Sequence, residues 1–122
     1  MQEKILVVED EGIIALDIEI TLKKLGYFTS NKVDTLKRAQ EKINTFQPDL
    51  ILIDIMLRDG PTGFDVARLA KTKKIPFIFV TASTNKSYFN EARKLNPVEI
   101  INKPVDQYKL KRILNKIFPL PS

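Results

Sequence analysis

Short apolar runs alternate with amphipathic stretches along the chain. Three continuous runs, Ile5–Val8, Leu50–Ile53 and Pro76–Val80, are rich in β-branched and aromatic residues. Uninterrupted runs of this length are typical of strands that are buried on both faces, as in a parallel sheet covered by helices. Tyr27–Val33 and Val98–Ile101 are weaker strand candidates. The pattern therefore predicts five strands.

Between these runs, apolar residues recur at spacings of three and four, which is the period of a helix with one buried face. The first such stretch is Ile14–Leu25, and Gly26 after it suits a helix C-cap. Asp34 or Thr35 can cap a second helix that ends before Pro48. Three further stretches carry apolar residues on one helical face: Phe64, Ala67 and Ala70; Tyr88, Ala92 and Leu95; and Leu110, Ile113, Leu114 and Ile117.

Strand and helix thus alternate five times, which predicts an α/β fold. We expect a single doubly wound domain whose five-stranded parallel sheet lies between two layers of helices, since parallel strands are joined by crossover connections. The length of 122 residues suits one domain over residues 1–122. We expect its core to span about residues 3–118. Prolines at 119 and 121 cannot continue the last helix, so residues 119–122 are predicted to be a tail or the start of a linker.

Composition excludes several kinds of chemistry. The chain has no Cys and no His, which rules out disulfides, thiolate metal sites, histidine-ligated zinc, Ser-His-Asp catalysis and a histidine phosphoacceptor. No apolar run reaches the ~18 residues of a membrane span, and the N-terminus lacks a basic region followed by an apolar stretch. These observations predict a cytoplasmic protein without a membrane partner.

Charge is divided unevenly along the chain. The formal net charge is +5, but residues 1–61 carry 8 basic and 11 acidic side chains, whereas residues 62–122 carry 12 basic and 4 acidic ones. Two interpretations remain open. The division reflects either an acidic pocket opposite a basic binding face, or an uneven solvated surface.

Charged and hydroxyl side chains stand where the predicted strands end. Glu9–Glu11 follow the first strand, Asp54 ends the third, Thr81 ends the fourth and Lys103 follows the fifth. Ligand crevices of open parallel sheets form at this edge. Each feature alone is more simply a helix cap, a turn residue or a surface lysine. Four of them on one edge indicate a site.

The residue types at this edge suit phosphoryl-group chemistry. Glu9, Asp10 and Asp54 offer hard oxygen ligands, which Mg²⁺ prefers, and three close carboxylates repel one another unless a cation joins them. Lys103 can pair with carboxylate or phosphate oxygens, and Thr81 offers a hydroxyl donor. A nucleophilic carboxylate, a divalent cation and donors for the remaining oxygens are together able to accept a phosphoryl group.

The residues at these positions resemble those of the receiver domain of two-component response regulators. Four stretches carry the resemblance, in the family's order and at close to the family's separations: Ile5–Glu11, Leu50–Leu57, Phe79–Ala82 and Asn102–Pro104. The resemblance covers about residues 3–118. It implies a flavodoxin-like (βα)5 fold with strand order 2-1-3-4-5.

The resemblance also implies the roles of the acidic residues. Asp54 would receive a phosphoryl group from a phosphohistidine on a sensor histidine kinase or a histidine phosphotransfer protein. Glu9 and Asp10 match the acidic pair that organises Mg²⁺, with Asp10 the more direct ligand. The backbone carbonyl of Met56 matches a further protein ligand of the metal beside Asp54.

A second group of matching residues concerns the switch. Thr81 matches the hydroxyl that contacts the phosphoryl group and moves on activation, and Ala82 lies beside it. Lys103 matches the lysine that contacts a phosphoryl oxygen. Pro104 matches the proline after it, which in this family often follows a cis peptide bond. Family members commonly carry an aromatic switch residue where this chain has Ile100, so an inward ring rotation is not expected here.

Two further departures concern the loop after Asp54 and the output surface. The family commonly has proline four residues after the acceptor and glycine eight after it, whereas this chain has Arg58 and, nine after, Gly63. One extra residue is implied, as in a subset of the family. The family's output surface is usually the fourth helix, fifth strand and fifth helix, and here it is basic, with Lys86, Arg93, Lys94, Lys109, Lys111, Arg112 and Lys116.

The leading hypothesis is a phosphorylated switch domain that acts on an output domain or a downstream protein and does not turn over an external substrate. One alternative is a receiver-like binding module that has lost phosphorylation. Another is a Mg²⁺-dependent phosphohydrolase with Asp54 as nucleophile and Asp59 as the second acid. Direct nucleic-acid binding by the basic half is disfavoured, because that half lacks interleaved aromatic residues and a recognition motif.

Overall fold

The computed structural model describes residues 2–119 as one parallel sheet with five helices. The strands are β1 (Lys4–Val8), β2 (Phe28–Thr29), β3 (Leu50–Asp54), β4 (Phe77–Thr81) and β5 (Glu99–Asn102). The helices are α1 (Gly12–Lys24), α2 (Leu36–Phe46), α3 (Gly63–Thr72), α4 (Lys86–Lys94) and α5 (Gln107–Ile117). The sheet order β2-β1-β3-β4-β5 confirms the predicted fold class and strand order. Residues 120–122 of the predicted tail lie outside the described residues.

A hydrophobic layer covers each face of the sheet, because successive strand residues point to opposite sides. On one face, Leu6 and Phe79 pack with residues of α2, α3 and α4. On the other face, Val7 and Ile78 pack with residues of α1 and α5. All residues of β3 and β4 are buried, as their uninterrupted apolar runs predicted. The two layers hold the strand ends, and therefore the polar residues that follow them, in fixed register.

The second strand is much shorter than predicted. Only Phe28 and Thr29 pair with β1 as a strand, so the expectation of a strand over Tyr27–Val33 is wrong in extent. The polar residues after Thr29 leave the sheet edge, and Val33 returns to form a single bridge with Val8. There the Glu9 backbone N–H donates to the Val33 carbonyl oxygen at 2.8 Å. The return of the chain thus positions the first acidic residue of the site.

Local conformation and contacts determine how α1 ends and how α2 begins. Gly26 follows α1 with a positive φ of 96°, a conformation that glycine adopts without strain. The Thr35 hydroxyl accepts from the Arg38 backbone N–H, so Thr35 rather than Asp34 caps α2. Asp34 is buried and forms ion pairs with Arg38 at 2.6 Å and Arg58 at 3.3 Å. These pairs lower the pKa of Asp34, with the hydrogen bond from Arg38 the largest cause.

The loop between β3 and α3 contains a tight turn. Leu57 and Gly60 exchange backbone hydrogen bonds of 2.8 and 3.1 Å, and Gly60 has a positive φ of 107°. The Asp59 carboxylate accepts from the Thr62 hydroxyl and from the Leu36 backbone N–H. The loop is therefore tied both to itself and to the start of α2.

Helix α3 begins in contact with the backbone at the end of β3. The Gly63 N–H donates to the Ile55 carbonyl oxygen at 3.0 Å. A Cβ atom at Gly63 would lie 2.2 Å from the Asp54 carbonyl oxygen and 2.6 Å from Ile55 Cα. Real Cβ atoms do not approach backbone so closely, so only glycine fits this position. None of the helices formed by residues 2–119 is long and apolar enough to cross a bilayer.

Substitution of Gly63 by Ala is predicted to destabilise the domain by about 3 kcal/mol, because the new methyl group must push α3 away from the backbone of Asp54 and Ile55. The matched control is Gly12→Ala in the first turn of α1, where a Cβ meets only the Lys32 Nζ at 3.9 Å. Urea unfolding of both variants measures the difference. Equal stability of the two variants would contradict the close packing at Gly63.

Candidate functional site

Three carboxylates meet at the carboxyl edge of the sheet. One oxygen from each of Glu9, Asp10 and Asp54 lies within 4.8 Å of the other two. Glu9 and Asp54 are only 2% and 5% exposed, whereas Asp10 is half-buried. They come together because β1 and β3 are neighbours, with Val8 opposite Ile53. Burial of like charges this close is unfavourable without a cation.

Lys103 supplies the positive charge at this edge. Its Nζ lies 2.6 Å from Glu9 Oε1 in an ion pair and donates to Asp54 Oδ2 at 3.0 Å. It also lies 3.8 Å from Glu11 Oε1, which is on an exposed side chain. The Lys103 side chain itself is only 9% exposed. Its backbone N–H is held by the Thr81 carbonyl oxygen, and a cis peptide bond joins it to Pro104.

The pKa values of the central pair reflect this crowding. Burial raises the pKa of Glu9, and the nearby Asp54 carboxyl raises it further, while Lys103 opposes both effects. For Lys103, burial lowers the pKa, but the carboxylates of Glu9 and Asp54 outweigh burial and raise the pKa above its ordinary value. One ammonium group thus faces more negative charge than it can balance. The edge of the sheet remains attractive to a further cation.

Backbone groups beside Asp54 complete the acidic pocket. The Met56 N–H donates to Asp54 Oδ1 at 3.3 Å, which orients the carboxylate. Among residues 2–119, no donor is bonded to the Met56 carbonyl oxygen. Met56 as a whole is 41% exposed. A carbonyl without an internal partner, two residues after Asp54, offers a further hard oxygen atom at this end of β3.

A chain of hydrogen bonds runs from Thr81 into α4. The Thr81 side chain is buried, and its hydroxyl accepts from the Ser83 N–H at 3.0 Å. The Ser83 hydroxyl accepts from the Asn85 N–H at 3.0 Å, and Asn85 Oδ1 accepts from the Tyr88 N–H at 3.2 Å. Sequence reasoning did not single out Ser83 and Asn85. Hydroxyl and amide side chains two residues apart before a helix are the signal that would have found them.

The remaining predicted positions lie around this pocket. Ala82 and Lys103 separate two open pockets, one of about 450 Å³ beside α4 and one of about 490 Å³ beside α1. Pro104 lines the pocket beside α1. Ile100 lies opposite Phe79 in the sheet and packs half-buried against the hydrophobic layer under α4. Ile100 is therefore part of the core rather than of the acidic pocket.

Asp59 does not join the acidic group. Both of its oxygens are used within the β3–α3 loop and at the start of α2, through Thr62 and Leu36. The hydrogen bond from Thr62 is the largest of the causes that lower the pKa of Asp59. A carboxylate held in this way is not placed to activate water at Asp54. The phosphohydrolase alternative therefore lacks its second acid.

The comparison with protein families decides the class of the chain. A family model of the response regulator receiver domain matches residues 5–115. The chain belongs to this family. Receiver domains of response regulators are signalling modules rather than enzymes that turn over external substrates, and they work with histidine kinases and output domains. Receiver domains bind Mg²⁺ at an acidic pocket, and this chain has an acidic cluster of Glu9, Asp10 and Asp54.

Two curated relatives are about one-third identical to this receiver domain over the aligned residues. The chain is 32% identical to the phyllosphere-induced regulator PhyR of Methylorubrum extorquens over 121 residues, which is 95% of the chain and 43% of PhyR. It is also 32% identical to the transcriptional regulatory protein CitB of Klebsiella pneumoniae, with 91% of the chain and 48% of CitB covered. The chain thus spans less than half the length of these relatives.

Solved structures agree with the fold. The signal receiver domain of a modulated diguanylate cyclase from Desulfovibrio desulfuricans superposes with a TM-score of 0.87 at 32% identity, covering 95% of this chain and 93% of that one. The receiver domain of the sensor histidine kinase PA1611 from Pseudomonas aeruginosa gives 0.82 at 25% identity, covering 95% and 97%. That structure has a magnesium ion coordinated in its active-site cleft.

Removal of one negative charge from the acidic group is predicted to stabilise the metal-free domain. Asp10→Asn should add about 1 kcal/mol and raise the melting temperature by about 4 °C, because Asp10 repels two buried carboxylates and has no ion pair among residues 2–119. Asp54→Asn should gain less, since it also loses the ion pair with Lys103.

Thermal unfolding in chelator and in MgCl2 measures both effects. We expect Mg²⁺ to stabilise the wild-type domain and to stabilise either variant much less. If both variants melt below wild type in chelator and still respond fully to Mg²⁺, the carboxylates are structural caps and not a cation site.

Proposed function

We propose that this receiver domain accepts a phosphoryl group on Asp54 and uses it to switch the surface formed by α4, β5 and α5. The observation that carries the proposal is the buried Asp54 carboxylate, held by Lys103 beside two further carboxylates. This arrangement has little value for stability, because buried like charges oppose folding. It suits a pocket whose charge is completed by ligands.

The residues of the pocket fit a magnesium ion. Asp10, Asp54 and the Met56 carbonyl offer hard oxygen atoms. Glu9 belongs to the same acidic group, and its carboxylate accepts a hydrogen bond from the Glu11 N–H at 3.2 Å. Mg²⁺ accepts such ligands and keeps several waters, so an incomplete protein cage is sufficient. When bound, the ion supplies neutralisation of carboxylate and phosphoryl oxygens. The similar receiver domain of PA1611, which holds magnesium in this cleft, supports the assignment.

The chain's own residues account for the transfer itself. An Asp54 oxygen forms the new bond to phosphorus as the bond from phosphorus to the donor's imidazole nitrogen breaks, and the imidazole leaves with that electron pair. Lys103, which already contacts Asp54, pairs with one phosphoryl oxygen. The Thr81 hydroxyl donates to another. The Met56 N–H, which donates to Asp54 Oδ1, keeps the carboxylate oriented during the transfer.

The exposed side of α1 offers the protein donor a place to dock. Ile13, Leu16 and Ile20 recur at helical spacing and are 87%, 57% and 44% exposed. The open pocket beside α1 is lined by both Ile13 and Lys103. A histidine-bearing helix that covers this apolar stripe would bring its phosphohistidine to Asp54. This geometry supports a sensor histidine kinase or a histidine phosphotransfer protein as the partner.

Acetyl phosphate is predicted to add one phosphoryl group to the wild-type domain when Mg²⁺ is present. Intact-mass spectrometry should show no gain for Asp54→Asn or in chelator, since the nucleophile or the charge neutralisation is then missing. Asp59→Asn is the matched control, and it should be labelled like wild type because Asp59 is engaged in the β3–α3 loop. Equal labelling of Asp54→Asn would contradict the proposal.

The hydrogen-bond chain from Thr81 offers a switch that needs no aromatic ring at position 100. The Thr81 hydroxyl now accepts from the Ser83 N–H, and its reorientation toward a phosphoryl oxygen breaks that bond. The β4–α4 loop then loses the first of three bonds that lead to the N-cap of α4 at Asn85. The open pocket of about 450 Å³ beneath the loop leaves room for it to move. A reorientation of the Thr81 hydroxyl therefore reaches α4 through the backbone of the β4–α4 loop.

Removal of the hydrogen bond between the Asn85 N–H and the Ser83 hydroxyl should uncouple α4 from changes at Asp54 and Thr81. Ser83→Ala is expected to reduce the beryllofluoride-induced chemical-shift changes of Lys86–Lys94 by about half, because the Asn85 N–H loses its acceptor. Thr84→Ala is the control within the same loop, since its exposed hydroxyl has no hydrogen bond among residues 2–119. Ile100→Val should likewise change little, because it removes one methylene from a packed residue. Unchanged shifts in Ser83→Ala, with loss in Ile100→Val, would show that Ile100 is the moving element.

A further inference from the structure

Asp34 is a buried carboxylate that lies outside the acidic group. It is only 6% exposed, yet each of its oxygens faces a guanidinium group. Arg38 Nη1 lies 2.6 Å from Oδ1, and Arg58 Nη2 lies 3.3 Å from Oδ2. Arg38 belongs to α2, whereas Arg58 belongs to the β3–α3 loop. A buried charge is costly unless it is paired, and Asp34 is paired with two separate segments of the chain.

Asp34 holds Arg58 by its backbone as well. The Arg58 N–H donates to the Asp34 carbonyl oxygen at 3.2 Å. We call this hydrogen bond and the ion pair between the same two residues the Asp34–Arg58 clamp. It arises from the departure from the family at position 58, because a proline there would have neither an N–H group nor a guanidinium group. The loop after Asp54 is therefore fixed by contacts that this chain's own residues make.

Stability alone does not account for the clamp. The Arg58 side chain is 66% exposed, and ion pairs that reach into solvent contribute little to folding. Arg38 already supplies a cation to Asp34, at the shorter distance. The second cation is thus of more use in holding the loop than in neutralising the carboxylate.

One end of the clamp is continuous with the segment that positions Glu9. Val33 directly precedes Asp34, and its N–H donates to the Val7 carbonyl oxygen at 3.3 Å, while its carbonyl oxygen accepts from the Glu9 N–H at 2.8 Å. Two consecutive residues thus contact different segments: Val33 contacts the end of β1, and Asp34 contacts the loop after β3. The clamp therefore connects the backbone at the first acidic residue with the loop that follows β3.

The other end of the clamp lies two residues after Met56. The Met56 N–H donates to Asp54 Oδ1 at 3.3 Å. Leu57, between Met56 and Arg58, is 5% exposed, and its backbone exchanges hydrogen bonds with Gly60. The residues of a short segment that is bonded at both ends and buried in the middle have little freedom to move separately. A displacement of Arg58 is therefore passed on to Met56.

The sheet alone does not fix the residues that offer oxygen atoms to a metal ion. The pairing of β1 with β3 ends at Val8 opposite Ile53, and both Asp10 and Met56 lie beyond that pair. The clamp is a second connection between these two parts of the chain, outside the sheet. Mg²⁺ demands nearly ideal octahedral geometry, so residues that orient its ligands have a strong effect on its affinity.

We propose that Arg58 is a positioning residue for the magnesium site, which it orders by holding the loop after Asp54 against Asp34. The proposal rests on the proposed function, in which Asp10, Asp54 and the Met56 carbonyl hold the ion. Arg58 does not touch the ion; its contacts with Asp34 keep Met56 in a constant position relative to Asp10. Charge alone predicts the opposite behaviour, because a cation on this loop repels Mg²⁺ and its removal would strengthen binding.

The test measures the Kd of Mg²⁺ from the amide shifts of Ile55 and Met56 during titration with MgCl2, at low and high salt. Arg58→Gln removes the ion pair of the clamp, and Arg58→Lys keeps a cation at the same position. Arg38→Gln is the matched control, since it removes the other guanidinium from the same carboxylate but lies on α2. Urea unfolding of each variant in chelator measures stability separately, which is the quantity that a merely structural ion pair would change.

We expect Arg58→Gln to bind Mg²⁺ about tenfold more weakly than wild type at both salt concentrations, and Arg58→Lys to recover part of that loss. Arg38→Gln should bind Mg²⁺ as wild type does. Unchanged or tighter binding by Arg58→Gln, or equal weakening by Arg38→Gln, overturns the positioning role and leaves the proposed function intact. If the wild-type domain itself binds no Mg²⁺, the proposed function fails, and the positioning role fails with it.

Discussion

The contact on which the site depends is the pairing of Lys103 with Glu9 and Asp54. A parallel sheet brings the ends of its strands to one edge, and here that edge collects carboxylates that are buried together. Without a cation their repulsion would oppose folding. The buried ammonium offsets part of this repulsion and links the carboxyl ends of β1, β3 and β5. The remaining negative charge leaves the pocket attractive to a further cation, and the proposed magnesium and phosphoryl chemistry rests on this property.

Close backbone packing keeps this charged edge in place. Helix α3 starts against the carbonyl groups of Asp54 and Ile55, a contact that Gly63 alone permits. The β3–α3 loop is bound in turn to the start of α2 through Asp34 and Asp59. Asp54 therefore sits on a rigid support, while the β4–α4 loop on its other side is held through hydrogen bonds to the side chains of Thr81 and Ser83. The proposed switch needs both properties: a rigid support on one side of Asp54, and on the other side a loop whose hydrogen bonds can break.

The two signs of charge occupy different parts of the domain for different reasons. Glu9 and Asp54 are buried at the carboxyl edge of the sheet and share Lys103, with the half-buried Asp10 beside them. Unpaired cations cover α4 and α5, where they are exposed to solvent. The acidic group agrees with the acidic pocket that the uneven charge suggested, although it contains only part of the acids of the first half.

The sequence by itself determined the fold class, the sheet order implied by the family resemblance, and the edge at which Glu9, Asp10 and Asp54 meet. It did so because apolar runs and helical periods are local, and because parallel strands all end on the same side. Only the tertiary structure decided the short β2, the choice of Thr35 as cap and the engagement of Asp59. The short β2 and the bond from Leu36 to Asp59 depend on contacts between segments far apart in the chain, and periodicity records which side of an element is buried but not which distant group it meets. The choice between Thr35 and Asp34 depends on a local hydrogen bond that both residue types can make.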